Sequence, residues 1–541
     1  MTSEATTLAD ELLHVLGAWN PLEATFVGIP GHDADLPDPS EAGHARLRAR
    51  AAGILARAKT STDPDRVTLG VVVQQAEAVL ARLAANDVEF TLADPMFAVG
   101  MSLPIFLPQL APAGEQAEDD FLTRLAAFPA FYEALAERQR AGLRAGRTPV
   151  DRMAHNALGF LDRFLAQDSP FTGDRGARRD ELVAGAVRPA LKRYREFLAT
   201  EVAGRGRSDD QPGLCWLEDG ETHYAALART HTTTGHTPAE LHQLGLDVLA
   251  GLEAEYAEIG GRVFGSIDPA EVRRRLRSDE SLRWRDAGEM LETARNAVAR
   301  ATAAAPGWFD RVPDAECVVR AVPEAEAPVA AAAYYMPPAL DGSRPGTYYT
   351  NTHEVHTRDR FIAETVAFHE AVPGHHFAES LAQELTELPR LRRIAVISAF
   401  SEGWALYTER LADEMGLFSD DVMRLGMVVE DSVRAARLVV DTGLHALRWT
   451  RQQCVEFLRA HTVLSEVEVQ SETDRYIESP GQALAYMTGR LEIVRLRRFA
   501  EERLGAAFDI KEFHDVVLGG GQLPLKVLED VVRAWAGGPK V

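Results

Sequence analysis

Apolar residues recur three and four positions apart through most of this chain, the spacing that places them on one face of a helix. Residues 68–85, 122–142, 150–166, 178–203, 238–260 and 284–304 show it, in stretches rich in Ala, Leu, Glu and Arg. Thr237-Pro238-Ala239-Glu240 marks one start: Thr caps, Pro takes the first helical position, and Glu closes a capping box. The period returns after residue 358, over 358–384, 389–415, 420–447, 450–460, 480–503 and 524–536. Between the two helical halves the pattern changes. Residues 317–322, 332–336 and 347–351 read as two or three short strands around a Gly/Pro turn within 337–352. The expected fold is therefore mainly α, with a small antiparallel β element near the middle.

Length and charge narrow the picture. At 541 residues the chain exceeds one ordinary core, and turn-rich stretches at 28–40 and 204–220 suggest a division into 1–210 and 211–541. With 46% apolar and 26% charged residues the composition is globular. A net charge of −23 makes nucleic acid and anionic membrane poor partners. The start has neither a basic n-region nor an apolar h-region, and no run of about 18 apolar residues occurs. Cys215, Cys317 and Cys454 are odd in number and far apart, so reduced thiols in a cytoplasmic protein are the expectation.

The densest chemistry is Phe368-His369-Glu370-Ala371-Val372-Pro373-Gly374-His375-His376. A catalytic zinc needs three protein ligands and one open position. The stretch differs from the H-E-x-x-H spacing, because Pro373 stands four after His369. In an unbroken helix residue i+6 is rotated about 240° from i, and i+7 lies about 10 Å further along the axis. Neither copies i+4. Pro373, however, must widen or break the helix, and Gly374 permits angles that other residues resist. A widened turn would swing His375 or His376 back toward His369. The third ligand is expected from the next helix. There Phe400, Trp404, Tyr407 and Leu411 form an apolar stripe, leaving Glu402, Leu406 and Glu409 on a neighbouring face. Glu402 is the candidate, because a carboxylate on a packed helix needs a partner. Glu409 either supports a ligand or is solvated.

These residues carry a resemblance. His369-Glu370 with Pro373-Gly374-His375-His376, then Glu402-Gly403-Trp404-Ala405-Leu406-Tyr407 and Glu409, resembles the bacterial family called domain of unknown function 885. Further matching stretches are Pro337-Pro338 with Asp341-Gly342-Ser343-Arg344-Pro345-Gly346, then Arg437 through His445, Pro480-Gly481-Gln482-Ala483-Leu484-Ala485-Tyr486, and Asn20-Pro21 to His32-Asp33. The resemblance implies a large helical metallopeptidase-like fold with a deep central cleft, similar to thimet oligopeptidase and angiotensin-converting enzyme. Several helical zinc peptidases end this motif on Gly-His, which favours His375 over His376. Two departures stand out: Arg448 precedes Trp449 where the family usually has Gly, and Met487-Thr488 follow Tyr486 where a Lys is frequent.

The implied chemistry is hydrolysis of an amide or peptide bond in a small molecule or short peptide, with Zn²⁺ on His369, His375 (or His376) and Glu402. Glu370 would serve as general base for the attacking water. Tyr486, Tyr476 and His445 are candidates for donating to the developing oxyanion. Arg437 and Arg490 could pair with a substrate carboxylate, and Tyr335 with its strand could hold an extended peptide. Asp441 could orient a ligand. Two other readings remain at this stage: a biosynthetic enzyme using the same metal on a non-peptide molecule, and a non-catalytic binding protein. Whether the chain is a monomer or a homodimer is open.

Overall fold

Helices carry nearly all of the secondary structure in the computed structural model, which describes residues 3–110, 114–171, 176–324, 327, 330–339 and 344–537. Asp341, Gly342 and Ser343 of the expected Gly/Pro turn lie outside them. The chain forms two compact units, and the division is not a single cut at 210/211. The first comprises Met1–Thr230, Gly443–Val455 and Gln470–Pro480; the second comprises His231–Thr442, Glu456–Val469 and Gly481–Val541.

In the first unit the long helix Glu115–Arg144 turns Phe121, Leu125, Phe128, Tyr132 and Leu135 inward, three and four apart as the period predicts. Ala154, Ala157 and Leu161 of the helix Asp151–Ala166, and Leu191, Tyr194 and Phe197 of Arg188–Phe197, complete that core. Fully burying each large apolar side chain contributes about 1.5–3 kcal/mol. The expected helix over 178–203 is instead broken by wider π turns at Val183–Val187 and Leu198–Val202. Pro189 accounts for the first, since it lacks an N–H and its ring excludes the carbonyl one turn back. By composition Arg66–Glu89 is long and apolar enough to cross a membrane, but its helix Arg66–Ala85 packs Leu69, Val72, Val79 and Leu83 in the interior.

The second unit opens on the helix Pro238–Phe264, whose Thr237/Glu240 capping box forms as expected. Leu252, Tyr256 and Ile259 from this helix pack with Phe361, Leu425, Val428 and Val429. Three strands follow: β1 (Cys317–Ala321), β2 (Ala333–Met336) and β3 (Gly346–Thr350), in the order β1-β3-β2. β2 and β3 pair antiparallel, but β1 runs parallel to β3, so the sheet is mixed rather than antiparallel. The end of β1 and the start of β2 flank Thr350, about two strand spacings or 10 Å apart. β3 fills the middle. Beyond the sheet lie α1 (Ala363–Glu370), α2 (His375–Glu384), α3 (Ser398–Glu414), α4 (Asp421–His445) and α5 (Ala485–Leu504).

Candidate metal centre

Where one helix was expected over 358–384, the backbone ends α1 and restarts as α2 rather than widening by a turn. Ala371 (ψ −102°) and Gly374 (ψ −128°) leave the helical region on either side of the cis Val372–Pro373 peptide. Pro373 cannot donate to the carbonyl of His369, and its ring crowds that carbonyl. Gly374 fits because it has no Cβ: one built there would lie 1.9 Å from the His369 carbonyl oxygen. The indole N–H of Trp404 donates to the Pro373 carbonyl at 2.9 Å and ties the break to α3.

α3 is held in turn by α5. A Cβ on Gly403 would sit 2.5 Å from the Gly489 backbone, and one on Gly489 would sit 1.9 Å from the Ala399 carbonyl. The helices therefore meet backbone to backbone next to Glu402. Phe400, Trp404, Tyr407 and Leu411 are all buried, as their stripe predicts.

The break and the crossing bring His369, His375 and Glu402 together, with one ligand atom from each all within 4.8 Å of one another. Glu402 Oε2 lies 3.5 Å from His369 Nε2 and 3.6 Å from His375 Nε2. Such separations are too long for charge-assisted hydrogen bonds. Two ligands each about 2.1 Å from a tetrahedral zinc lie roughly 3.4 Å apart, so the spacing suits a shared cation. Glu409, fully buried, accepts from His369 Nδ1–H at 2.7 Å, which turns Nε2 to Glu402, so that loss of the Nε2 proton would present its lone pair there. Ser401 Oγ is 3.3 Å from His375 Nδ1, and Glu379 Oε1 is 4.0 Å from it.

The charges agree with that fit. Burial alone would lower both imidazoles, but Glu402 and its neighbours outweigh it and lift His369 to about 9 and His375 above its usual value. Burial pushes Glu402 up, yet the two imidazoles hold it far below the carboxylate range. Glu379 is pushed up to about 7, chiefly by burial, with the charges of Glu402 and Glu370 adding to it. Glu370 lies close enough for its charge to act on both imidazoles. Four carboxylates around two imidazoles are a surplus that a divalent cation would offset. The side chain of Glu402 is 20% exposed, so the cluster is open to solvent. Sequence reasoning missed Glu379, although its place four after His375 on one helix face was the available signal.

The remaining candidates divide. His376 is not part of the cluster: its Nδ1 accepts from the Tyr335 hydroxyl at 2.9 Å, and its Nε2 donates to the Ala315 carbonyl at 3.0 Å. Burial lowers it to about 4, so it is a neutral bridge, and Tyr335 is committed to it. Tyr486 lies under the Arg437 guanidinium at 4.6 Å. Arg490 gives Nη1 to the buried Asp431 at 2.5 Å, a carboxylate shared with Arg410. Asp441 accepts the Gly481 N–H through both oxygens, at 3.1 and 3.2 Å, and so braces a turn. His445 and Tyr476 belong to the first unit. His445 uses both ring nitrogens on backbone, accepting from Leu214 N–H at 3.0 Å and donating to the Tyr476 carbonyl at 2.9 Å. The Tyr476 hydroxyl donates to Glu472 at 2.5 Å. Their bonds are those of packed interior residues.

Comparison with solved structures finds a close match of fold. One is a crystal structure of a protein from Colwellia psychrerythraea described as a "putative lipoprotein", with 27% identity and a TM-score of 0.90 over 99% of each chain. Another, a "putative lipoprotein of unknown function" from Shewanella oneidensis, is 18% identical with a TM-score of 0.75, covering 98% of this chain and 99% of that one. No curated protein matches. A family profile matches residues 21–532, and with it the chain belongs to DUF885, the bacterial proteins of unknown function.

Proposed function

We propose that the protein is a zinc-dependent hydrolase that cleaves an amide or peptide bond in a small substrate. The observation that carries this reading is the convergence of His369, His375 and Glu402, with Glu402 Oε2 3.5 and 3.6 Å from the two imidazole Nε2 atoms, the three ligand atoms within 4.8 Å of one another, and Glu370 adjoining a ligand. A zinc ion there would act as a Lewis acid, polarising the scissile carbonyl and acidifying water. Glu370 takes the proton of the attacking water and returns it to the leaving amine. Glu409 keeps His369 in the tautomer that presents Nε2. Tyr486 is the remaining candidate donor to the oxyanion, because Arg434 feels the charges of both Tyr486 and Glu402.

A biosynthetic enzyme using the same residues on a non-peptide amide is the second reading. It draws on the partial exposure of Glu402, which sets no requirement for a peptide backbone. Among the described residues Cys215, Cys317 and Cys454 form no disulfide, which fits a reducing compartment, whereas the two structural relatives carry lipoprotein descriptions. Cell fractionation separates these settings.

Metal analysis with two variants tests the central reading. The purified protein is expected to hold one zinc per chain. Glu370→Gln should keep the metal while kcat on a cleaved library peptide falls about 10²–10⁴-fold, and His369→Ala should lose the metal. Absence of stoichiometric metal, with His369→Ala behaving as wild type, would sink it.

A further inference from the structure

Most arginines near the candidate centre have acidic partners. Arg410 and Arg490 share Asp431, Arg300 pairs with Glu364, and Arg434 meets Glu430 one turn earlier. Arg344 differs. Among the described residues its guanidinium makes no ion pair, and its Nη1 is buried with no hydrogen-bond acceptor. In a chain with 81 acidic and 58 basic residues, a cation left without an acid is unexpected. A buried N–H without an acceptor costs about 1–3 kcal/mol, more on a charged group, so such an atom persists where something else satisfies it.

Neighbouring contacts place the Arg344 segment beside α2. The Ala339 N–H donates to the Arg344 carbonyl at 3.0 Å. Gln383 of α2 donates to the Pro338 carbonyl at 3.3 Å, which ties the residues that follow β2 to the helix that begins with His375. Two residues beyond Arg344, a Cβ on Gly346 would lie 2.5 Å from His376 Nδ1 and 2.6 Å from the Tyr335 hydroxyl. The segment that carries Arg344 therefore runs against the residue that follows the candidate ligand His375, and the charge of Arg344 is felt by Tyr335 there. The planar fork of donors on Arg344 matches a carboxylate in two-point fashion.

We propose that Arg344 is the receptor for a substrate carboxylate, so that this site takes small amides or short peptides bearing a free carboxylate. The position of cleavage rests on the hydrolase reading above; the binding of the anion by Arg344 does not. N-acetyl-dialanine and its C-terminal amide, titrated calorimetrically into the full chain, test it. The measurement is repeated with His369→Ala, so that a carboxylate has no metal to bind. The acid is expected to bind about tenfold or more tightly than the amide in both proteins. Arg344→Gln should bring the two within about twofold, with metal content unchanged, and Arg344→Lys should fall between, keeping charge but not the fork. If Arg344→Gln does not fold, the Lys variant carries the comparison. Equal affinities, binding of neither probe, a preference that survives Arg344→Gln, or loss of metal in that variant overturns the assignment. Failure of the zinc reading would show separately, as missing metal with the acid preference intact.

Discussion

One hydrogen bond decides which nitrogen His369 shows to Glu402. Glu409 occupies Nδ1 at 2.7 Å, so Nε2 is the nitrogen turned to Glu402 and, on the zinc reading proposed above, the one that would take the metal. Glu409→Gln keeps the shape and removes the charge. Zinc affinity, read by chelator competition, should fall about 10–100-fold, and an unchanged affinity would remove Glu409 from that role. His445 makes a different prediction. Burial lowers it to about 4, against about 6.5 in an unfolded chain, so between those values the unfolded state binds more protons. The stability that the neutral ring supports is complete above pH 6.5 and is lost as pH falls toward 4. The stability difference between wild type and His445→Gln should therefore shrink with falling pH, by up to about 1.4 kcal/mol per unit, in denaturant titrations. A pH-independent difference would show that the ring is not buried neutral. Glu409 was legible from its place on the Glu402 face, whereas the backbone partners of His445 were not. Arg448 is a related case. It adopts φ +59°, the left-handed region where glycine costs least, and its guanidinium lies over Trp216 at 4.9 Å.

Elements were legible to the extent that one face of each is buried. The helical period placed α3 and its stripe, although the helix expected over 389–415 is divided into Arg390–Ile394 and Ser398–Glu414, and Pro373 marked a disruption within 358–384, because a missing N–H is a local fact. The choice of His375 over His376 was not local. It followed from the backbone angles at Ala371 and Gly374 and from Tyr335, which β2 brings to His376. The mixed sheet escaped for the same reason, since strand direction depends on which strand fills the middle. The α3–α5 crossing gives the element-scale prediction. Gly489→Ala forces a methyl against the Ala399 carbonyl and should cost about 1–3 kcal/mol, measured by thermal or denaturant unfolding. It should also weaken zinc binding, because α3 carries Glu402. Wild-type stability and zinc affinity in that variant would refute the crossing as the support of the centre.

At the scale of the molecule, the first unit is completed by two late segments, 443–455 and 470–480. Glu478 accepts the backbone N–H groups of Leu92, Ala93 and Asp94 at 2.7, 2.8 and 2.5 Å, and His445 accepts that of Leu214. Residues 1–230 expressed alone would leave these buried donors without acceptors, each costing about 1–3 kcal/mol. That fragment should show weak hydrogen-exchange protection around Leu92–Asp94; native-like protection there would show that the late segments are dispensable. The sequence by itself determined the helical character, the strands and a short set of metal-ligand candidates, because periodicity, proline chemistry and residue type act within a few positions of the chain. Only the tertiary structure decided which histidine joins His369, which arginines already have partners, and that the first unit closes with residues from far along the chain. Those outcomes depend on contacts between segments tens to hundreds of residues apart, and no local pattern encodes which of them will meet.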